Sequence, residues 1–179
     1  VRRAVTSDLK RPGDPVYLVG FTRAELGGSE YYALRGFLGR TVPKVYMPTA
    51  RNIVDSLIQA IDAGLVRACH DLSEGGLGVA AAEMAIGGGL GLELYLSQVP
   101  RPRSLRRDDF VMFSESNTRF LVEVKADREE VFKSLMREVP HARVGWVSKE
   151  PRLIVRGVKG NVVVDLPVDS LERAWKRRL

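Results

Sequence analysis

The 179-residue sequence has one cysteine, two histidines, few aromatics and no long apolar run. The single Cys69 excludes an internal disulfide, and its setting in Val66-Arg67-Ala68-Cys69 reads as buried strand, not as a reactive thiol. With no second histidine near His70, the pattern points to no metal site, and His70 reads as a hydrogen-bonded structural residue before a base. No stretch approaches the roughly 20 apolar residues that span a bilayer. Arg2 and Arg3 are not followed by the apolar segment of a signal peptide, so the chain reads as soluble and cytoplasmic, without a membrane partner.

The net charge of +6 raises the question of a polyanion partner. Its distribution answers it. The excess sits in residues 1–11 (four basic, one acidic), 101–107 (four basic, none acidic) and 171–179 (four basic, one acidic). The middle segment alternates Pro and Arg like a solvated loop, while Lys176, Arg177 and Arg178 sit where a terminal helix dipole favours cations. Aromatics interleaved with the basic residues, which single-strand binders use, are nearly absent, so no nucleic-acid partner is expected.

At 45% hydrophobic residues, a chain of this length can bury a core without disulfide or metal. Pro12-Gly13-Asp14-Pro15 has the composition of an interdomain joint. The sequence begins with Val, so the expectation is a piece of a longer chain, with residues 1–13 a linker from a preceding domain and 14–179 one domain. Val16-Tyr17-Leu18-Val19 reads as a buried strand, and residues 29–38 as a short helix opened by Ser29 and closed by Gly39. Residues 43–48 read as a connector. Ile53, Leu57, Ile61 and Leu65, beside Val54 and Ile58, mark a helix that opens at Pro48 and ends at Gly64. Val66–Cys69 reads as a second buried strand, followed by a glycine-rich loop and a helix that Gly87-Gly88-Gly89 terminates. Further strands are expected at 90–96, 119–124 and 142–147, a helix at 127–138, and a hairpin of 153–156 with 162–166 across Lys159-Gly160-Asn161. A last helix, 168–177, should turn Leu171, Ala174 and Trp175 inward. Interspersed strands and helices with a hairpin give a three-layer α/β/α domain on a mixed sheet.

Two segments can carry chemistry. His70-Asp71-Leu72-Ser73-Glu74-Gly75-Gly76-Leu77-Gly78 joins a strand to a helix. Backbone N–H groups at Gly75 and Gly76 and the positive end of the helix dipole suit a phosphate, with Asp71 and Ser73 beside them. The other reading is a tight turn, with Asp71 and Ser73 as caps. The second segment, Phe113-Ser114-Glu115-Ser116-Asn117-Thr118-Arg119-Phe120, places a carboxylate, hydroxyls, an amide and a guanidinium between two apolar runs. Glu115, Ser116, Asn117 and Arg119 can contact a sugar, phosphate or amide. Alternatively, the serines satisfy their own backbone in a polar turn.

Residues 66–84 with Gly87-Gly88-Gly89-Leu90-Gly91 resemble the glycine-rich signature of the last domain of formylglycinamide ribonucleotide amidotransferases. Phe113–Val124 resembles the same domain's second signature. Arg11-Pro12-Gly13-Asp14 and Glu25-Leu26-Gly27-Gly28-Ser29-Glu30-Tyr31 resemble its leading strand and the loop after it. Related C-terminal domains occur in aminoimidazole ribonucleotide synthetase, selenophosphate synthetase, thiamine-monophosphate kinase and a hydrogenase-maturation protein. The last has Thr-Arg before its Gly-Gly, where this chain has Ser73-Glu74.

The resemblance implies an aminoimidazole ribonucleotide synthetase-type C-terminal domain within an ATP-dependent ligase of purine biosynthesis. Such an enzyme uses ATP and magnesium to activate the formyl amide of formylglycinamide ribonucleotide for attack by glutamine-derived ammonia. It implies as partners a preceding ATP-binding-type domain, a glutaminase subunit and a small accessory subunit. The family's nucleotide and magnesium ligands lie mostly in other domains, so no catalytic residue is assigned to this chain. The first copy of the domain carries Glu-Ser-Gln where this chain has Glu115-Ser116-Asn117, and the amide here is one methylene shorter. The domain is therefore expected to form one wall of an interdomain cleft; a purely structural module is the alternative.

Overall fold

The computed structural model describes residues 4–177. Arg2, Arg3 and Arg178, read above for their charge, lie outside the described residues. Seven strands form one sheet in the order β2-β4-β1-β5-β3-β6-β7. In chain order they are β1 (Pro15–Val19), β2 (Val66–Asp71), β3 (Gly91–Tyr95), β4 (Phe120–Val124), β5 (His141–Ser148), β6 (Arg152–Arg156) and β7 (Val162–Pro167). All pairings are antiparallel except β3 with β6. The helices are α1 (Glu30–Ala33), α2 (Met47–Asp62), α3 (Gly76–Gly88), α4 (Asp108–Phe113), α5 (Glu129–Leu135) and α6 (Val168–Lys176).

Strand alternation sorts the side chains into two cores. On β1, Val16 and Leu18 join one and Tyr17 and Val19 the other; on β4, Leu121 faces the first and Val122 and Val124 the second. The first core takes Leu77, Ala81 and Met84 from α3, Val111 and Met112 from α4, and Val168 from α6. The second takes Ile53, Leu57 and Ala60 from α2 and Phe132 from α5, whose ring meets Tyr17 edge-on at 5.0 Å. Two cores on opposite faces of one mixed sheet are the three-layer architecture expected from the sequence. Each fully buried Leu or Phe contributes roughly 1.5–3 kcal/mol over an exposed one.

Local expectations were met where a glycine stop or an apolar run dominates. At the end of α2, Gly64 adopts φ 69°, and Leu65 N–H donates to Ala60 O as the chain leaves the helix. They differ where tertiary position decides. The first helix ends at Ala33 and the chain turns away at Gly36 (φ 73°), short of Gly39, because Phe37 N–H donates to Tyr32 O and Gly36 N–H to Ala33 O. Strand β2 is a sheet edge, and Thr6 covers part of it through a bridge to Ala68. Val54 and Ile58 face outward, as does Trp175, which is 65% exposed. Helix α4 was not foreseen at all.

The segment expected as a linker packs onto the domain where it is described. Leu9 is buried in the first core, and its N–H donates to Met84 O. Lys10 and Arg11 donate backbone N–H groups to the buried Glu123 carboxylate, 2.8 and 2.9 Å away. Asp14, also buried, pairs with Arg67 and accepts from Ala126 N–H at 3.1 Å.

Candidate functional site

Three loops meet at one end of the sheet: residues 20–29 after β1, residues 72–75 between β2 and α3, and residues 114–119 before β4. Glu115 ties them together. Its backbone N–H donates to Glu25 O (3.0 Å), while its Oε1 accepts from Gly75 N–H (2.9 Å) and Glu30 N–H (3.1 Å). The carboxylate thus lies at the N-terminus of α3, where the helix dipole favours a negative charge. Gly76, at φ 58°, packs so closely that an added Cβ would lie 2.3 Å from Ser114 O. No larger residue fits there without displacing the corner.

Arg119 is the second tie. It is 1% exposed, and burial lowers its pKa to about 10. Its guanidinium donates to Ser116 O (2.8 Å), Thr22 Oγ1 (3.0 Å) and Ser114 O, with the Glu25 and Glu115 carboxylates favouring its charge. Ser116, also buried, accepts Arg23 N–H at 3.0 Å. Thr118 takes φ 56°, the one positive φ at a non-glycine among the described residues. For a β-branched residue that conformation costs on the order of 1–3 kcal/mol, which the surrounding contacts hold in place. Glu25 Oε2 and Ser114 Oγ are buried without a hydrogen-bond partner among the described residues.

Every site residue expected from the sequence lies at this corner, several of them with donors or acceptors already engaged internally. The N–H groups of Gly75 and Gly76, read as a phosphate cradle, already donate to Glu115 Oε1 and to Ser73 O. Ser73 and Asp71 do not cap α3; Ser73 Oγ donates to Asp71 instead, 2.5 Å away, and this bond holds the Asp71 carboxyl below its usual range. Ser116 and Arg119 face inward as supports. Asp71, Ser73, Glu74, Glu115 and Asn117 line a cavity of about 270 Å³, with Thr118 and Arg119 behind them. Asn117 and Thr118 also line a second cavity of about 240 Å³, which Arg23, Tyr46, Thr49 and Ile53 complete. Asn117 is exposed and stands on the wall between the two.

The first cavity presents Asp71, Glu74 and Glu115, and its cation, Arg119, is turned to internal acceptors. Such a surface repels a bare phosphate. No group of three or more metal-ligating side chains is preformed among the described residues. A bare phosphate therefore finds no free cation in this cavity, and the described residues alone hold no complete magnesium site. His70, outside the corner proper, pairs with Glu83 Oε2 at 3.0 Å, and burial pushes the Cys69 thiol up to about 12, out of reactive range. The sequence reading gave Glu25, Thr22 and Thr118 no site role. Glu25 sits within a recognisable motif, but its burial beside Arg119 depends on the fold.

The family model for the C-terminal domain of AIR synthase related proteins matches residues 11–158. The phosphoribosylformylglycinamidine synthase subunits PurL of Methanothrix thermoacetophila and Alkaliphilus metalliredigens are 37% and 34% identical over all of this chain, which covers 23% and 24% of theirs. The chain thus spans about a quarter of the length of these relatives. Among solved structures, PurL of Thermotoga maritima complexed with FGAR superposes with a TM-score of 0.82 at 23% identity, covering 93% of this chain and 29% of that one. A HypE–HypF complex superposes at 0.68 and 18% identity, covering 93% of this chain and 57% of that one. No described helix is long and apolar enough to cross a membrane. With the model matched over most of its length, this chain belongs to the AIR synthase related protein C-terminal domain family.

Proposed function

We propose that this chain is the C-terminal domain of a cytoplasmic phosphoribosylformylglycinamidine synthase, and that its polar corner forms one wall of an interdomain cleft. In that enzyme, formylglycinamide ribonucleotide, ATP and glutamine-derived ammonia give formylglycinamidine ribonucleotide in purine biosynthesis. The relatives that match across the whole chain support the reading, and they carry that name. ATP and magnesium belong to the parent enzyme and are held mostly by residues outside this chain. Its partners are a preceding ATP-binding-type domain of the same polypeptide, a glutaminase subunit and a small accessory subunit.

The observation that carries the domain's role is the exposed Asn117 on a corner that Glu115 and Arg119 hold rigid. Asp71 and Ser73 offer polar atoms across the first cavity, which Asn117 also lines. These groups bind and orient; they break no bond. The test is Asn117→Ala in the full-length parent enzyme, followed by amidine formation and retained nucleotide. Losing a positioned contact should lower one of the two by about tenfold, at unchanged melting temperature. If both stay at the parent level, the corner is a support and contacts no ligand.

A further inference from the structure

Between α1 and α2 the chain runs from residue 34 to residue 46 without helix or strand, and its apolar side chains point outward. Leu34 and Leu38 are each 79% exposed and Met47 is 71% exposed, with Phe37, Val42 and Val45 also largely in solvent. Isolated exposed apolar residues are ordinary, but a contiguous run of them marks a surface that something covers. The strip is also held in shape. Gly28 N–H donates to Leu38 O at 2.7 Å, Gly27 N–H to Thr41 O at 2.8 Å, and the Arg23 guanidinium lies 4.0 Å from the Tyr46 ring centroid. Gly27 and Gly28 belong to the loop that Glu115 ties to α3, so the strip is mechanically joined to the polar corner.

Charge identifies the kind of surface that covers it. No acidic residue occurs between Glu30 and Asp55, whereas Arg35, Arg40 and Lys44 are exposed along the strip. Among the described residues, none of these three cations pairs with a carboxylate within 4.0 Å. A symmetric pairing of two copies through this face would set Arg40 and Lys44 against themselves, so self-association is disfavoured. The apolar members are mainly aliphatic, whereas a single-stranded nucleic acid stacks on aromatics. The strip is neither a helix nor an amphipathic one, which separates it from an interfacial membrane anchor.

We infer that residues 34–47 are a docking strip for another domain of the same longer polypeptide, whose facing surface is apolar and rimmed by carboxylates. The inference rests on the reading of this chain as one domain of a longer enzyme, and it fits relatives four times as long. It says which face turns towards the missing neighbour: the one that carries the second cavity, with Tyr46 on its wall. Docking there would set the neighbouring domain against Asn117.

Trypsin read by mass spectrometry on the full-length parent enzyme tests this. Cleavage after Arg40 and Lys44 should be slower, by about tenfold or more, than cleavage after Arg103 in the exposed 101–107 loop. Leu38→Asp with Met47→Asp, or Arg40→Glu with a new tryptic site supplied by Thr41→Lys, should raise cleavage within the strip towards the loop's rate and leave Arg103 unchanged. Cleavage in the strip of the unsubstituted enzyme as fast as at Arg103 overturns the inference, as does enzyme that is retained by phosphatidylserine vesicles or by a short single-stranded RNA and loses that retention in Leu38→Asp with Met47→Asp. Amidine formation and nucleotide retention by Asn117→Ala are scored separately. A protected strip with both amidine formation and nucleotide retention unchanged in Asn117→Ala sinks the cleft reading alone, and an open strip with either one lost sinks only the docking strip.

Discussion

The corner at Glu115 and the strip at residues 34–47 are neighbours with opposite economies of contact. In the corner, charged and polar groups face inward: Glu115 accepts two backbone N–H groups, and Arg119 is buried against two carbonyls and a hydroxyl. In the strip, apolar groups face outward and the cations have no carboxylate beside them in sequence. The polar run 114–119 turns most of its donors and acceptors inward, whereas residues 34–47, read partly as a helix over 29–38 and partly as a connector over 43–48, carry large exposed apolar side chains. Polar composition alone therefore does not locate the contact surface. Which donors are already used decides it.

The comparison breaks most severely at Arg119. Arg119→Met should destabilise the chain by about 3–5 kcal/mol, because two buried carbonyls and Thr22 lose their donor and Glu25 loses its nearby cation. Urea denaturation of the chain would measure it. Next comes Gly76→Ala, where a positive φ and a Cβ placed 2.3 Å from Ser114 O together should remove roughly 2–3 kcal/mol in the same titration. Glu115→Ala leaves two N–H groups at helix starts without their acceptor and should lower stability by about 2 kcal/mol.

Acid gives a weaker test, at the junction of the two regions. Asp109 accepts from Arg107 and from Tyr31, and the Arg107 contact is the main cause holding its carboxyl below 3.8. A carboxylate depressed in the folded state contributes stability that is present above its unfolded value and is lost as pH falls through the folded one. Asp109→Asn should therefore lower the melting temperature at neutral pH and flatten the acid limb, so that the two proteins converge as pH falls below about 4, as melting temperatures across pH would show. The smallest effect belongs to the strip: Arg40→Glu with Lys44→Glu should change the stability of this chain by no more than about 0.5 kcal/mol in urea. A large loss there would mean that the strip, like the corner, is internally bound.

Much of the fold was legible because local chemistry and tertiary position agreed. The apolar run Val16–Val19 became an interior strand, Gly64 ended α2, and Gly160 turned the hairpin with φ 88°. What was missed lacked a local signal. Helix α4 is six residues long, too short for a periodic stripe to declare it. Gly36 and Gly39 are equally good stops in sequence, and only the Phe37 N–H bond to Tyr32 O chooses between them. Trp175 was expected inside because it is large and apolar, yet nothing in the last helix's spacing fixes how far its far end reaches the sheet. At the site, the residues were legible and their duties were not. That the Gly75 N–H points to Glu115 requires two loops 40 positions apart to meet.

The account's central claim is that Glu115 and Arg119 form a support from which Asn117 reaches outward. The measurement that tests it most directly compares Asn117→Ala with Glu115→Ala in the full-length parent enzyme, reading amidine formation and melting temperature together. The account predicts that Asn117→Ala lowers activity or retained nucleotide at the parent melting temperature, while Glu115→Ala lowers the melting temperature. Full activity and nucleotide retention in Asn117→Ala, with a lowered melting temperature, would contradict it by making Asn117 one more internal support.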